Sequence, residues 1–277
     1  MTSSAPSPGQ WPTIAATWQL IGSPLRPVAE DVALVRAASD KWRAATSRPP
    51  RVLILGVTPE LFHLPWPTGT VVRAVDRTEQ MLAEVWPGER DDAVQADWLH
   101  MDWPDDSFDL VLCDGGWSLL DLPSQQLLAR RLSQIIAPGG RFVARLFVPP
   151  SRRESPEEVL SSLTAGRIRD LNCLKLRLGM ALMPSSLEGV ELAEVWRRAH
   201  DVAGSWPALA ERVGWDLDQL SVIDAYRDSS ARYHFVSVEE FEATMCDSPV
   251  EFTVHRVDVP GYVMGDQCPT VVMRRLP

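Results

Sequence analysis

What this chain lacks narrows the field first. Its four cysteines, Cys113, Cys173, Cys246 and Cys268, form no CxxC pair, and no histidine cluster stands near them. Neither a metal site of the zinc type nor a disulfide framework is expected, which suits a reducing compartment. No run reaches the roughly 18 apolar residues of a membrane span, so no membrane association is expected. The opening MTSSAPSPGQWPT has neither a basic n-region nor an apolar h-region, and a cytoplasmic protein is expected. Cations are in deficit: 27 Lys+Arg against 37 Asp+Glu give a net charge of −10. That disfavours a nucleic-acid backbone, which needs clustered cations, as the main partner. No GxGxxG follows the first strand-like run, so the backbone cradle for a pyrophosphate is missing. A nicotinamide-dependent oxidoreductase is disfavoured on that ground. No internal repeat is visible.

What is present is an ordinary globular composition, 45% hydrophobic and 23% charged over 277 residues. Such a chain can bury one large core, or one core with an appended subdomain. Eleven tryptophans is a high count, and most are expected in packing roles.

The most informative stretch is RVLILGVTPELFHLPWPTGTVVRAVD, Arg51 to Asp76. Arg51–Leu55 reads as a strand, Gly56 as the turn after it, and Val71–Val75 as a second strand closed by Asp76. Ligands of open α/β sheets bind outside the carboxyl ends of the strands. An acid at the end of the second strand is well placed for a ribose's hydroxyls, so a nucleoside-bearing ligand is the first hypothesis.

Before this stretch, residues 1–12 are rich in Ser and Pro and are expected to be mobile. A short helix is expected around Trp18, a turn at Gly22–Pro27, and a helix from Val28 to about Ala45. After it, Thr78 can cap a helix bearing Met81, Leu82 and Val85. Ala93–Ala96 reads as a third strand, Phe108–Cys113 as a fourth, and Pro123–Ile136 as a helix ended by Ala137-Pro138-Gly139-Gly140. Arg141–Phe147 reads as a fifth strand. This alternation indicates a mostly parallel sheet. From Pro149 the rhythm turns helical, with a capping box at Ser155–Glu158 and helical patterns over Leu163–Met180, Leu187–Ala203 and Leu217–Tyr226. No strand is expected there. A second capping box at Ser237–Glu240 starts a helix to about Met245, and Glu251–Val259 and Thr270–Leu276 read as closing strands.

Four segments in order, RVLILG, VVRAVDRTEQML, DAVQADWLHMDWPDDSFDLVLCDG and RRLSQIIAPGGRF, resemble the class I S-adenosylmethionine-dependent methyltransferases. The resemblance covers about residues 50–148 well and the closing strands more weakly. It implies an α/β, Rossmann-like, seven-stranded, mostly parallel sheet with helices on both faces and a helical insertion before the last strands. The division it suggests is an N-terminal helical arm or lid over 1–50, a cofactor core over 51–148, a substrate-side insertion over 149–236, and a closing helix and strands over 237–277. The first loop departs from the family: Ile54 stands where an acid is usual, and LGVTPE keeps only the first glycine.

By the same resemblance, Asp76 is expected to hold the ribose, with Arg77 beside it. Asp97 is expected on the adenine amine, Trp98 and Met81 along the base, and Cys113, Asp114 and Gly115 near the methionine part. Gly56, Val57, Thr58 and Glu60 form the variant loop, where Glu60 either attracts the cofactor's α-amine and sulfonium or simply starts a helical turn. S-adenosylmethionine is the implied cofactor and S-adenosylhomocysteine the product. The acceptor pocket is expected to draw on Trp18, Arg26, Trp117 and Arg145, and the acceptor to be a small molecule offering O, N, S or C. No general base announces itself; the candidates are His100, Asp114, Tyr226, Tyr233 and His234, each with a structural alternative. A non-catalytic module on the same fold, binding a nucleoside metabolite or a protein, is the competing reading. Assembly is left open, a homodimer being one possibility.

Overall fold

The computed structural model describes residues 9–248 and 252–276. In chain order its elements are α1 (Trp11–Ala16), α2 (Ala29–Thr46), β1 (Arg51–Leu55), α3 (Pro59–Phe62), β2 (Val71–Asp76), α4 (Glu79–Glu84), β3 (Ala93–Gln95) and β4 (Phe108–Asp114). There follow α5 (Leu122–Ile135), β5 (Ile136–Arg145), α6 (Pro156–Thr164), α7 (Leu171–Leu182), β6 (Val190–Glu191), α8 (Leu192–Ala203) and α9 (Trp206–Val213). The last are α10 (Leu217–Ser221), β7 (Arg232–Tyr233), α11 (Val238–Cys246), β8 (Phe252–Asp258) and β9 (Thr270–Arg275). Among the described residues no helix is long and apolar enough to cross a membrane.

Seven strands form one sheet in the order β3-β2-β1-β4-β5-β9-β8, parallel through β5 and antiparallel at β9 and β8. Strand side chains alternate between faces, and here both faces are covered. Val52, Ile54, Leu110 and Leu112 face a layer made by α2, α4 and the helices after β5. Leu53, Leu55, Val111 and Cys113 face α5 and α11, whose Leu128, Leu132 and Phe241 are fully buried. Strand order reverses between β1 and β4, so the crevice beyond their carboxyl ends is where a ligand belongs.

The first two strands have the expected bounds to within a residue, and both capping boxes form, Ser155 with Glu158 and Ser237 with Glu240. Elsewhere the structure differs. Helix α1 begins at Trp11, within the stretch 1–12 that was expected to be mobile, while residues 1–8 lie outside the described residues, as does Glu251. Thr78 stands at the N-cap of α4 but makes no side-chain cap bond; its N–H goes instead to Asp76 Oδ1 at 2.7 Å. The Ala137–Gly140 run belongs to β5, which starts at Ile136 and ends at Arg145. A register shift between Phe108 and Leu110 absorbs that run, with Gly139 at φ +75°. The pattern over Leu163–Met180 breaks into α6 and α7, because Asp170 Oδ1 accepts the Cys173 N–H and starts a new helix. Within the helical segment β6 and β7 pair antiparallel; two residues each are too few to show alternation. Helix α9 was not expected either, although Ser205 caps it and Pro207 opens it.

The amino ends of β1 and β4 are clamped by Asp109, which is 1% exposed. Its carboxylate accepts both Arg48 Nη atoms at 2.8 and 2.7 Å, Arg51 Nε and Nη2, and the Arg51 backbone N–H at 2.8 Å. Burial pushes its pKa up, but the two arginines outweigh burial and bring it from 3.8 to about 2. A carboxylate whose folded value is depressed stabilises the fold fully above its unfolded value, and that stability goes as pH falls through the folded one. The depression is worth about 2 kcal/mol. Urea unfolding of wild type and Asp109→Asn should therefore differ most above pH 3.8 and converge toward about pH 2. A pH-independent difference would contradict the assignment.

Candidate functional site

The carboxyl ends of β1, β2 and β4 open into a cavity roofed by the residues before β1. Its empty volume is about 1130 Å³, part of it open to solvent.

At the end of β1 the chain turns on Gly56, whose φ is +87° and whose N–H bonds Val75 O at 2.8 Å. A Cβ there would stand 3.5 Å from the Trp98 ring and 3.8 Å from Asp76 Oδ2. The backbone conformation, rather than space, requires glycine at this turn. Val57 and Thr58 continue the wall, and Asp76, Arg77 and Met81 line it from β2 and α4. Burial raises the Asp76 pKa, opposed by hydrogen bonds from Thr78, so this acid is a desolvated one facing the cavity. Asp97 and Trp98 also line it. Asp97 Oδ1 accepts the Leu99 N–H at 2.9 Å, and Trp98 donates its indole N–H to Val75 O at 2.8 Å. Trp98 thus offers a ligand its ring and not its N–H.

The turn after β4 places Asp114 and Gly115 at the cavity. Gly115 has φ +65°, and a Cβ there would meet the Phe147 ring at 2.5 Å, so conformation and space both demand glycine. The Asp114 carboxylate is held by Arg145, with Nε at 2.5 Å and Nη2 at 3.1 Å, and is not free to act as a base.

Five expected site residues do not line the cavity. Arg145 lies beneath it, 2% exposed, donating also to Pro24 O at 2.7 Å and to the Tyr262 hydroxyl at 3.3 Å. Cys113 is buried, its thiol pushed up to about 12 by burial and by Asp114. Trp117 is core, its ring edge-on to Phe241 at 4.8 Å. Glu60 and Arg26 pair with each other, and the Arg26 guanidinium lies over the Trp18 ring at 5.2 Å. Glu60 therefore has a partner from the protein. Trp18 does line the cavity. Of the remaining candidate bases, His100 is exposed, and His234 sits under Gly189 with Nδ1 2.8 Å from Ser186 O, away from the cavity. Tyr226 and Tyr233 line it, their rings edge-on with centroids 6.3 Å apart.

Sequence reasoning missed Lys175, on α7. It is 4% exposed, lines the cavity, and has no hydrogen-bond or ion-pair partner among the described residues. Its Nζ lies 4.4 Å from the centre of the Tyr226 ring. Burial alone brings its pKa from 10.5 to about 7. A signal existed: Lys175 stands four residues after Leu171 and three before Leu178, on the apolar face of the helix.

Residues 54–144 match the family model described as a methyltransferase domain. The fold agrees with the expected class I architecture. Solved structures that share it include a protein from Rhodobacter sphaeroides provisionally described as a Zn-dependent alcohol dehydrogenase, with 14% identity, a TM-score of 0.59, and 94% of this chain and 98% of that one covered. The CcbJ methyltransferase of Streptomyces caelestis is 15% identical at TM-score 0.53, covering 95% of this chain and 96% of that one. The PH0226 protein of Pyrococcus horikoshii is 13% identical at TM-score 0.52, covering 94% and 99%. A search of curated proteins found no match. Among the described residues, no three His, Cys, Asp or Glu side chains are grouped to hold a metal ion.

A lysine whose folded pKa is lowered destabilises the fold wherever the unfolded chain would be protonated. The penalty is full below about 7 and vanishes as pH rises to 10.5. Lys175→Met should thus raise stability by on the order of 3 kcal/mol near or below neutral pH. The gain should shrink as pH rises, read by thermal or urea unfolding across that range. An unchanged or lowered stability at every pH would contradict the account.

Proposed function

We propose that this protein binds S-adenosylmethionine in the cavity and transfers its methyl group to a small-molecule nucleophile in the cytoplasm. The observation that carries the reading is Asp76: a half-buried carboxylate at the end of β2, facing the cavity beside the single-glycine turn of β1. The residues fit the cofactor. Asp76 would accept the ribose hydroxyls, Asp97 the adenine amine, and the Trp98 ring and Met81 would flank the base. Backbone at Gly56–Thr58 and at Gly115 would border the methionine part, with Arg77 at the ribose edge. When bound, the cofactor supplies a methyl carbon already activated by its sulfonium, so the protein chiefly aligns donor and acceptor.

A small-molecule acceptor is favoured by enclosure. Trp11, Ile14, Trp18, Ile21 and Leu25, all before β1, form an apolar roof. That roof would act as a lid, excluding water once the acceptor is seated. The helices after β5 supply Lys175, Tyr226 and Tyr233 to the same space and would select the acceptor. A second reading, a non-catalytic nucleoside-binding module, rests on the glycine-poor LGVTPE loop; it predicts the same cofactor-site occupancy but no methyl transfer to any acceptor.

Calorimetric titration with S-adenosylhomocysteine tests the cofactor site. Binding should weaken by about 10–100-fold in Asp76→Asn, the value of one or two charge-assisted hydrogen bonds. Equal affinity in wild type and variant, or no binding by the folded protein, would overturn the reading.

A further inference from the structure

We propose that Lys175 is the residue that meets the acceptor, its Nζ taking the proton from an acidic hydroxyl of the phenol or enol class on a planar small molecule. This deepens the methyltransferase reading and rests on it.

The first argument is position. Lys175 enters from α7 into the same cavity that Asp76 and Asp97 line from the sheet. The second is its lack of a partner. Burying a polar group without one is costly. Arg145, the other fully enclosed cation near the site, is saturated by Asp114, Pro24 and Tyr262. Among the described residues, Lys175 has only the face of Tyr226. An amine left unpaired in a cavity is one whose partner arrives with the ligand.

The third argument concerns charge. A sulfonium in this space repels an ammonium, so the loaded site favours the free amine, which burial already favours. A free amine is a proton acceptor. The groups facing it do not compete for that task. Burial raises the pKa of Tyr226 and Tyr233, so both remain phenols, and Tyr233 further accepts from Gln10 Nε2 at 3.4 Å. Among the described residues, the segment before β1 lines the cavity with Trp11, Ile14, Trp18, Ile21 and Leu25, none of them titratable. From the sheet side come Asp76, Asp97 and Arg77 at the nucleoside end, and Asp114, which is held by Arg145. An amine near pKa 7 matches an acidic hydroxyl far better than an aliphatic alcohol. The walls of Trp18, Phe147, Tyr226 and Tyr233 suit a flat ring.

The hydroxyl proton passes to Lys175 Nζ, and the oxygen lone pair forms the new O–CH3 bond. The S–CH3 bonding pair returns to sulfur, and the proton stays on Nζ until the products leave.

The test uses para-nitrophenol and nitronaphthols, whose ionised forms absorb in the visible and whose neutral forms do not. They are added to protein saturated with S-adenosylhomocysteine, at a pH below their own pKa. A saturable phenolate band is expected in wild type, reduced roughly tenfold or more in Lys175→Met. That variant should still bind S-adenosylhomocysteine by calorimetry and melt no lower than wild type. A band of equal size in Lys175→Met, or no band with any of these phenols in the loaded wild type, overturns the proposal. Failure of S-adenosylhomocysteine to bind at all overturns the cofactor reading, and the proposal with it.

Discussion

One buried ion pair holds the floor of the cavity to its roof. Arg145, at the end of β5, grips Asp114, at the end of β4, through two hydrogen bonds. A guanidinium this deeply buried is tolerable only with its charge and its donors satisfied. Burial works against its charge, and Asp114 outweighs burial, so Arg145 stays protonated. Its remaining donors reach the Pro24 carbonyl and the Tyr262 hydroxyl, and that hydroxyl donates to Asp31 at 2.9 Å. Two central strands, the segment before α2, α2 itself and the turn before β9 are thus joined at one point. The apolar roof of Trp18, Ile21 and Leu25 hangs from this junction. A residue expected in the acceptor pocket turns out to tie the segment before α2 to the ends of β4 and β5.

With that pair and the Arg26–Glu60 pair closed on themselves, two ionisable groups in the cavity stand out as underused by the protein. Asp76 at the sheet end is a desolvated acid, and Lys175 at the helical end is a desolvated amine. One reaches the cavity from the sheet and the other from α7. Environments that push titratable groups apart in this way are common where chemistry is done.

How much of this could be read from the chain depended on which interactions were local. Gly56, Asp76, Trp98 and Gly115 sit at strand ends, and strand ends follow from short apolar runs and the turns that close them. Direction was harder. Trp117 and Arg145 are also at strand ends, yet one turns into the face covered by α5 and α11 and the other under the cavity floor. Spacing cannot distinguish these. Glu60 was equally ambiguous, since its partner Arg26 is 34 residues away in sequence. Lys175 carried a local signal, its place on the apolar face of α7, but what it faces depends on how α7 docks, a tertiary fact that helical periodicity does not contain. The same holds for the β6–β7 ribbon, which exists only because distant segments meet.

The most direct test of the account is a crystal structure of the protein with S-adenosylhomocysteine bound. The account predicts the ribose on Asp76, the base against the Trp98 ring and Met81, and the sulfur facing the chamber that Lys175, Tyr226 and the roof enclose. A nucleoside seated elsewhere, or a sulfur pointing away from Lys175 into solvent, would contradict it.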